Sequence, residues 1–318
     1  MTSNFEHFKQ QLDDAVQLLE NSDIVEKNAI ALPNSLGQLV DTQSLLARCD
    51  SLCQNYENTK PTIRIIHHLA CSGGTLISKC ISAMPNTFLL SEVHPYTNLH
   101  MSGGKPKFLP SDINTLSKYA GVFNQNILAD ELFISQVSLV HKHISKHGGF
   151  IVLRDHSHSD FCVGDKSDVC TKSSVVEVLK KNFNIKSVVT LRDPVDSYLS
   201  LSNNNWLHFS PETFNEYCAR VLAMLEALSG VPVILYEDFV SKPVEIMQEI
   251  CQKIDISFDE SFIDIFDVAS VSGESGRGGS IIESRERRPI TEELQQEFSS
   301  SANYRLLSEK FNFVNEKV

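Results

Sequence analysis

Six short segments of the 318-residue chain carry residues suited to binding or transferring an anionic group. The first is Cys71-Ser72-Gly73-Gly74-Thr75, whose glycines let the backbone approach an anion closely and whose threonine supplies a hydroxyl. A helix that begins here adds unpaired N–H groups and the positive end of its dipole. The segment is therefore a candidate phosphate or sulfate loop, although a simple turn with a threonine helix cap has the same composition.

Two segments carry groups that can move protons or stabilise charge. Glu92 follows an apolar run, where a carboxylate can accept the proton of an attacking hydroxyl or can serve only as a cap or salt-bridge partner. His94 is an alternative base. Arg154 opens the segment Arg154-Asp155-His156-Ser157-His158, where it can face developing negative charge. The histidines of that segment also suggest a metal, but no second ligand cluster accompanies them, so no metal is expected.

The remaining segments offer groups for a second anionic end. Arg192 can hold a phosphate through its planar fork, and Ser200 lies about two helical turns further along and can donate a hydroxyl. A salt bridge between Arg192 and a neighbouring aspartate is the structural alternative. Tyr236 lines either a nucleotide pocket or the core. The glycine- and serine-rich stretch 272–280 contains Arg277 and is either a linker or a mobile lid over an anion.

Short apolar runs alternating with helical patterns must position these residues. The predicted strands are Ile63–Leu69, Thr87–Leu90, Phe150–Leu153, Ser187–Leu191 and Val231–Tyr236. The predicted helices are Thr75–Met84, Ser174–Phe183, Phe214–Leu228 and one from Pro243 to about Ile254. Such alternation produces right-handed crossovers and a parallel sheet covered on both faces. Ligands of such sheets bind beyond the carboxyl ends of the strands, where most of the six segments fall.

Residues 1–60 have a different pattern. Apolar residues at three- and four-residue steps, beginning with Phe5 and Phe8, predict one helix, and a second is expected over about 36–52. We therefore expect an N-terminal helical segment at 1–60 and an α/β domain at 61–318.

Composition excludes several classes of function. The formal net charge of -12 argues against broad binding to nucleic acid or anionic membranes. No apolar run of 18 or more residues exists, so no membrane span is expected. The first 20 residues lack the basic start and apolar run of a signal peptide, which predicts a cytoplasmic location. The eight cysteines include no Cys-x-x-Cys pair and are expected to be reduced.

Taken in order, the segments resemble those of the sulfotransferase family. Family members combine a loop of the form Arg/Lys-Ser-Gly-Thr-Thr with a later arginine and serine eight positions apart, and Ser72–Thr75 and the Arg192/Ser200 pair match these places. The stretch Tyr236-Glu237-Asp238-Phe239 resembles the family's Tyr-Glu-Asp-Leu. The loop with Arg277 resembles its C-terminal nucleotide-binding loop.

The layout over 61–290 is most similar to tyrosylprotein sulfotransferases and their bacterial relatives. In that branch a glutamate in the place of Glu92 is the base, and a Lys-Asp in the place of Arg154-Asp155 stabilises the transferring group. Cys71 departs from the pattern, because the family places there a basic residue that touches the 5'-phosphosulfate. Arg154, Lys79 or a lid arginine can compensate. Cys71 itself can be a reactive thiol, since a helix N-terminus lowers the pKa of a thiol.

The resemblance implies a P-loop NTPase-like three-layer α/β fold, with a five-stranded parallel sheet flanked by helices. It implies 3'-phosphoadenosine 5'-phosphosulfate as co-substrate, a small-molecule or peptidic hydroxyl acceptor, and no metal. The loop would hold the 5'-phosphosulfate, Arg192 and Ser200 the 3'-phosphate, and Arg277 would close over it. Two alternatives stay open. One is a non-catalytic 3'-phosphoadenosine nucleotide-binding protein with a decayed site, which Cys71 favours. The other is a P-loop kinase or NTPase, although the Walker lysine after the glycines is missing.

Overall fold

The computed structural model describes residues 60–101, 108–272, 281–284 and 286–313. The predicted N-terminal helices and Arg277 lie outside these residues, and the predicted segment boundary at 60 lies at their edge. All three stay predictions. Strands and helices are numbered below within the described part of the chain.

A parallel sheet forms the centre of the molecule. Its strands are β1 (Thr62–His68), β2 (Thr87–Val93), β3 (Phe150–Asp155), β5 (Asn184–Leu191) and β7 (Val233–Leu235), and a separate pair consists of β4 (Val163–Gly164) and β6 (His208–Phe209). The order across the sheet is β2-β3-β1-β5-β7, with every neighbouring pair parallel. The central strand β1 is buried along nearly its whole length, as its β-branched sequence requires for a strand covered on both faces.

Helices connect the strands. In chain order they are α1 (Gly74–Ser82), α2 (Ile113–Tyr119), α3 (Gln125–Ser145), α4 (His158–Phe161), α5 (Ser174–Leu179), α6 (Pro194–Asn203), α7 (Phe214–Ala227), α8 (Tyr236–Ser241), α9 (Pro243–Ile254), α10 (Phe262–Ile265), α11 (Glu292–Ser300) and α12 (Ala302–Phe311). Asp193 caps α6 by accepting the N–H of Val195, and Pro194 occupies its first turn. The fifth strand is shorter than predicted at both ends, since it begins at Val233 instead of Val231 and Tyr236 already begins α8.

Alternate residues of β1 pack against different helices. Ile63 and Ile65 lie in a cluster with Val137 of α3 and Leu179 of α5, whereas Ile66 packs with residues of α1 and α9 on the other face. A third cluster joins β5 to α6, α7 and the C-terminal helices. Helices therefore cover both faces of the sheet, and the predicted three-layer α/β fold with five parallel strands is confirmed.

A fully buried arginine joins α7 to the small β4–β6 sheet. Arg220 Nε donates to Glu216 Oε1 at 2.9 Å, and its terminal nitrogens donate to the carbonyl oxygens of Phe161, Val163 and Gly164 at 3.0–3.2 Å. Its guanidinium also lies 4.9 Å from the Phe209 ring centroid. These bonds satisfy backbone acceptors of short strands that have few ladder bonds of their own.

Among the described residues, no helix combines the length and the apolar character needed to cross a membrane.

Replacing Arg220 with methionine will destabilise the fold, because Glu216 and three carbonyl groups lose their shared donor. We expect the free energy of unfolding to fall by about 3–5 kcal/mol, the usual cost of removing one member of a buried ion pair. Urea denaturation followed by the fluorescence of the single tryptophan measures this. The control is Arg305→Met on the exposed side of α12, with an expected change within about 0.5 kcal/mol. Equal losses in the two variants would contradict the prediction.

Candidate functional site

The turn between β1 and α1 presents backbone amides at the carboxyl end of the sheet. Cys71 and Gly73 both adopt left-handed backbone angles, with φ of 66° and 84°. Ser72 folds inward, where its hydroxyl donates to the carbonyl of Leu69 at 2.8 Å and fixes the turn. Because α1 begins at Gly74, its first amides have no partner within the helix and point out of its N-terminus. The turn therefore has the geometry of an anion-binding loop.

Each glycine of this turn lies against an aromatic ring. A Cβ atom on Gly73 would lie 2.2 Å from Cδ2 of Tyr236, and one on Gly74 would lie 1.9 Å from Cδ2 of His68. Both distances are far inside van der Waals contact. Glycine is thus required twice, so that the two rings can approach the loop.

Arg192 lies over the outer side of the Tyr236 ring. Its guanidinium carbon is 4.9 Å from the ring centroid, an arrangement favoured by cation–π attraction. The alternative of a salt bridge with a neighbouring aspartate is found as a long ion pair, since Arg192 Nη2 lies 3.9 Å from Asp196 Oδ2. Within the described part of the chain, its buried Nε has no hydrogen-bond partner. Arg192 consequently keeps donor capacity for an anion at the cavity wall.

Arg154, at the end of β3, contacts the loop from the opposite side. Its Nη2 donates to Thr75 Oγ1 at 2.8 Å, and its Nε donates to His68 Nε2 at 2.6 Å. Nη1 donates to Ser91 Oγ at 3.1 Å and to the carbonyl of Ser272 at 2.7 Å. Burial lowers the pKa of Arg154 to about 10, an effect partly offset by Glu92, and the side chain remains a cation at neutral pH.

Glu92 stands in an irregular part of β2. The register to β3 shifts between Leu90 and Val93, and Glu92 has a left-handed φ of 56°. Such bulges redirect side chains at functional sites. The carboxylate lies 3.5 Å from Arg154 Nη2 and 4.0 Å from His156 Nδ1. Burial lowers the pKa of His156, although Glu92 opposes the shift, and a neutral imidazole therefore faces the carboxylate at pH 7.

A cavity of about 320 Å³ brings most of the predicted site residues together. The predicted residues on its wall are Cys71, Gly73, Gly74, Thr75, Glu92, Arg154, Arg192, Ser200 and Tyr236. Ser72 is not on the wall, because its hydroxyl and its N–H both turn back to the carbonyl of Leu69. Arg277 lies outside the described residues. Two strand exits separated in sequence thus converge on one space.

Several residues of the wall were missed by the sequence analysis as site residues. They are His68, His156, His158, Trp206, His208 and Arg288. His156 and His158 follow β3 directly, so the strand-end rule that selected Arg154 also pointed to them. Burial lowers the pKa of His158 to about 3, which keeps its ring neutral. Trp206 lies in the loop after α6, and His208 begins the two-residue strand β6, which no sequence pattern predicted.

Arg288 reaches the cavity because its neighbour is anchored elsewhere. Arg287 Nη2 donates to Asp193 Oδ2 at 2.6 Å, and its Nε donates to Asp196 Oδ1 at 3.2 Å. These bonds tie the segment to the N-terminus of α6. Arg288 then lies near enough to Cys71 for its charge, like that of Arg192, to favour the thiolate there.

Two alternatives that the sequence left open, a reactive Cys71 thiol and His94 as the base, are not supported by the structure. Burial raises the pKa of the Cys71 thiol to about 11, outweighing nearby cations and a hydrogen bond from Asn204, so Cys71 is not an activated nucleophile at neutral pH. His94 is not a free base, because its Nε2 lies 3.0 Å from Asp160 Oδ1 and its Nδ1 accepts the N–H of Tyr96. No group of three or more metal-ligating side chains is found among the residues that the structure describes.

Comparisons with known proteins add structural likenesses only. No protein-family model matches the chain, and no curated protein matches its sequence. The sulfotransferase domain from the Synechococcus PCC 7002 olefin synthase is 14% identical, with a TM-score of 0.45 over 81% of this chain and 97% of that one. A sulfotransferase from Alicyclobacillus acidocaldarius is 12% identical, with a TM-score of 0.33 over 66% and 91%. Mouse sulfotransferase SULT7A1 complexed with PAP is 12% identical, with a TM-score of 0.39 over 80% and 86%.

Gly73→Ala will cost more stability than Gly121→Ala. Both glycines have positive φ, of 84° and 66°, so an alanine at either position carries the left-handed penalty of about 1–2 kcal/mol. At Gly73 the methyl group also meets Tyr236, whereas nothing lies within 4 Å of a Cβ at Gly121. We expect an additional loss of about 1–3 kcal/mol at Gly73 from overpacking. Thermal and urea unfolding of both variants measure the difference, and similar losses would show that the Tyr236 contact is not tight.

Proposed function

We propose that the cavity catalyses transfer of a sulfuryl group from 3'-phosphoadenosine 5'-phosphosulfate to a hydroxyl of a small molecule or peptide. One observation carries the proposal. Two arginines, Arg154 and Arg192, lie near the amide-rich turn at Gly73-Gly74. Each contacts a ring that packs against the turn: Arg154 by a hydrogen bond to His68 and Arg192 by lying over Tyr236. Such an arrangement suits a ligand with two separated anionic ends.

The donor site would be divided between the two strand exits. The N-terminus of α1 and Thr75 would hold the 5'-phosphosulfate, where amide dipoles favour negative charge. Arg192, Ser200 and Arg288 would hold the 3'-phosphate through charged hydrogen bonds. Arg288 would act there in addition to Arg277, whose role stays a prediction. The overall charge of -12 does not oppose this, because the cations converge locally while the acids are distributed over the chain.

The transfer itself would rely on position and charge. The S–O bond between the sulfuryl group and the 5'-phosphate breaks while a new S–O bond forms to the acceptor oxygen, and the acceptor proton passes to a base. 3'-phosphoadenosine 5'-phosphate leaves with the additional negative charge. Arg154 is held by Thr75, in the first turn of α1, and can stabilise charge that develops between the oxygens.

Glu92 is the proposed base, and His156 is its nearest rival. Both line the cavity, and 4.0 Å separates Glu92 Oε1 from His156 Nδ1. The bulge in β2 places the Glu92 carboxylate 3.5 Å from Arg154 Nη2, at the wall of the cavity. A neutral His156 beside it can stabilise the protonated product by hydrogen bonding.

Binding of 3'-phosphoadenosine 5'-phosphate tests the donor site. Arg192→Ala should weaken binding about 10- to 150-fold, the equivalent of one shielded charged hydrogen bond worth about 1.5–3 kcal/mol. Isothermal titration calorimetry measures it, with Arg305→Ala as a control that should match wild type. Equal affinity in Arg192→Ala and wild type would remove the assignment. A preference for ATP with magnesium would favour the kinase alternative instead.

Turnover with a panel of phenols and alcohols tests the base. Glu92→Gln should lower kcat by about 10²–10⁴-fold, because a positioned base contributes an effect of this size. Its affinity for 3'-phosphoadenosine 5'-phosphate should stay unchanged. His156→Gln should lose much less. The reverse ranking would transfer the role to His156, and donor binding without turnover on any acceptor would support the non-catalytic alternative.

A further inference from the structure

The plane of the Arg154 guanidinium is set by a histidine rather than by a carboxylate. Arg154 Nε donates to His68 Nε2 at 2.6 Å, the shortest of its hydrogen bonds, and both side chains are buried. The carboxylate that pairs with Arg154 is more distant, since Glu92 Oε1 lies 3.5 Å from Nη2. The Nη atoms are thereby turned toward Thr75 and Ser91.

The contacts of His68 define its tautomer. Nε2 must carry a lone pair, since it accepts from a guanidinium that has no acceptor of its own. Nδ1 lies 3.1 Å from the carbonyl oxygen of Asp155, so Nδ1 carries the proton. Burial, and next the charge of Arg154, hold the pKa of His68 well below its ordinary value, and the other nearby histidines act in the same direction. The ring is therefore neutral at pH 7.

We propose that His68 is a positioning residue for the proposed sulfuryl transfer. Its ring aims Arg154 at the α1 loop, so that Arg154 supplies the positive charge that Cys71 cannot. This inference rests on the proposed function. His68 is the last residue of the buried strand β1, packs against Gly74 and has no place in the sequence motifs that identified the site.

A neutral acceptor suits this task better than an acidic one. A carboxylate in the place of the His68 ring would hold Arg154 equally well, but it would neutralise the charge that the sulfuryl group needs. An imidazole accepts one hydrogen bond without adding a second negative charge beside Arg154, whose nearby carboxylate is Glu92 at 3.5 Å. Gly74 is the condition for this arrangement, because any side chain at that position would displace the ring from the loop.

Nitrogen-15 NMR tests the contact independently of any activity. In wild type, the Arg154 Nε–H signal, assigned by its loss in Arg154→Gln, should be protected from exchange, and His68 should show the Nδ1–H tautomer. His68→Gln, which retains an acceptor near the Nε2 position, should keep the protected signal. His68→Leu should lose it, and His143→Leu on the exposed side of α3 should not. An Nε2–H or imidazolium form of His68, or an unchanged Arg154 signal in His68→Leu, would overturn the proposal.

Kinetics then test the consequence. His68→Leu should lower kcat about 10²-fold, as expected when a catalytic group is misplaced by about 1 Å, with little change in affinity for 3'-phosphoadenosine 5'-phosphate. His68→Gln should restore most of kcat. In an Arg154→Gln background, His68→Leu should have no further effect on kcat, because the two residues act as one unit. Independent, multiplying losses would show that His68 does not act through Arg154.

The NMR and kinetic experiments together distinguish failure of this inference from failure of the proposed function. If wild type does not bind 3'-phosphoadenosine 5'-phosphate, the sulfuryl-transfer assignment fails, and the catalytic part of the proposal fails with it. The NMR result would still decide whether His68 holds Arg154. If wild type binds and turns over while His68→Leu keeps full kcat, only the inference about His68 is wrong.

Discussion

The cavity depends on the packing of two rings against two glycines of the turn between β1 and α1. Tyr236 lies against Gly73 and His68 lies against Gly74. Each ring also contacts an arginine: Arg192 lies over the Tyr236 ring, and Arg154 donates a hydrogen bond to the edge of the His68 ring. Because neither glycine has a Cβ atom, the two rings, and with them the two positive charges, can lie close to the turn. Any larger residue in the turn would push a ring outward and its arginine with it. The electrostatics of the cavity are therefore a consequence of packing at the loop.

The sheet makes this packing possible. His68 ends the central strand, Arg154 ends its neighbour on one side, and Tyr236 follows the edge strand beyond β5. Parallel strands place all these ends on one edge, and the register of β1 with β3 pairs Ile66 with Arg154, which brings that arginine beside the start of the loop. The backbone hydrogen bonds that pair the strands of the sheet thus also bring together site residues that are far apart in sequence.

Much of the fold was predictable because its signals are local. Apolar runs, glycine breaks and helical periodicity identified the five strands and the helices α1, α5, α7 and α9, with ends that differ by a few residues. The fifth strand is shorter because Tyr236 is drawn into α8, where its ring meets Gly73 and Arg192. Local patterns do not report such contacts. The low thiol acidity expected of a buried group was likewise invisible at Cys71, where the helix N-terminus suggested the opposite.

The sequence by itself determined which elements form and which residues stand at their carboxyl ends, because strand and helix periodicity and glycine content are properties of neighbouring residues. It identified Glu92, Arg154, Arg192 and Tyr236 for this reason. Only the tertiary structure decided which partners these residues have: His68 for Arg154, an aromatic face for Arg192, and Arg287 for Asp193 in place of Arg192. Pairings of this kind depend on strand order and on distances across the sheet, and no local stretch of sequence contains that information.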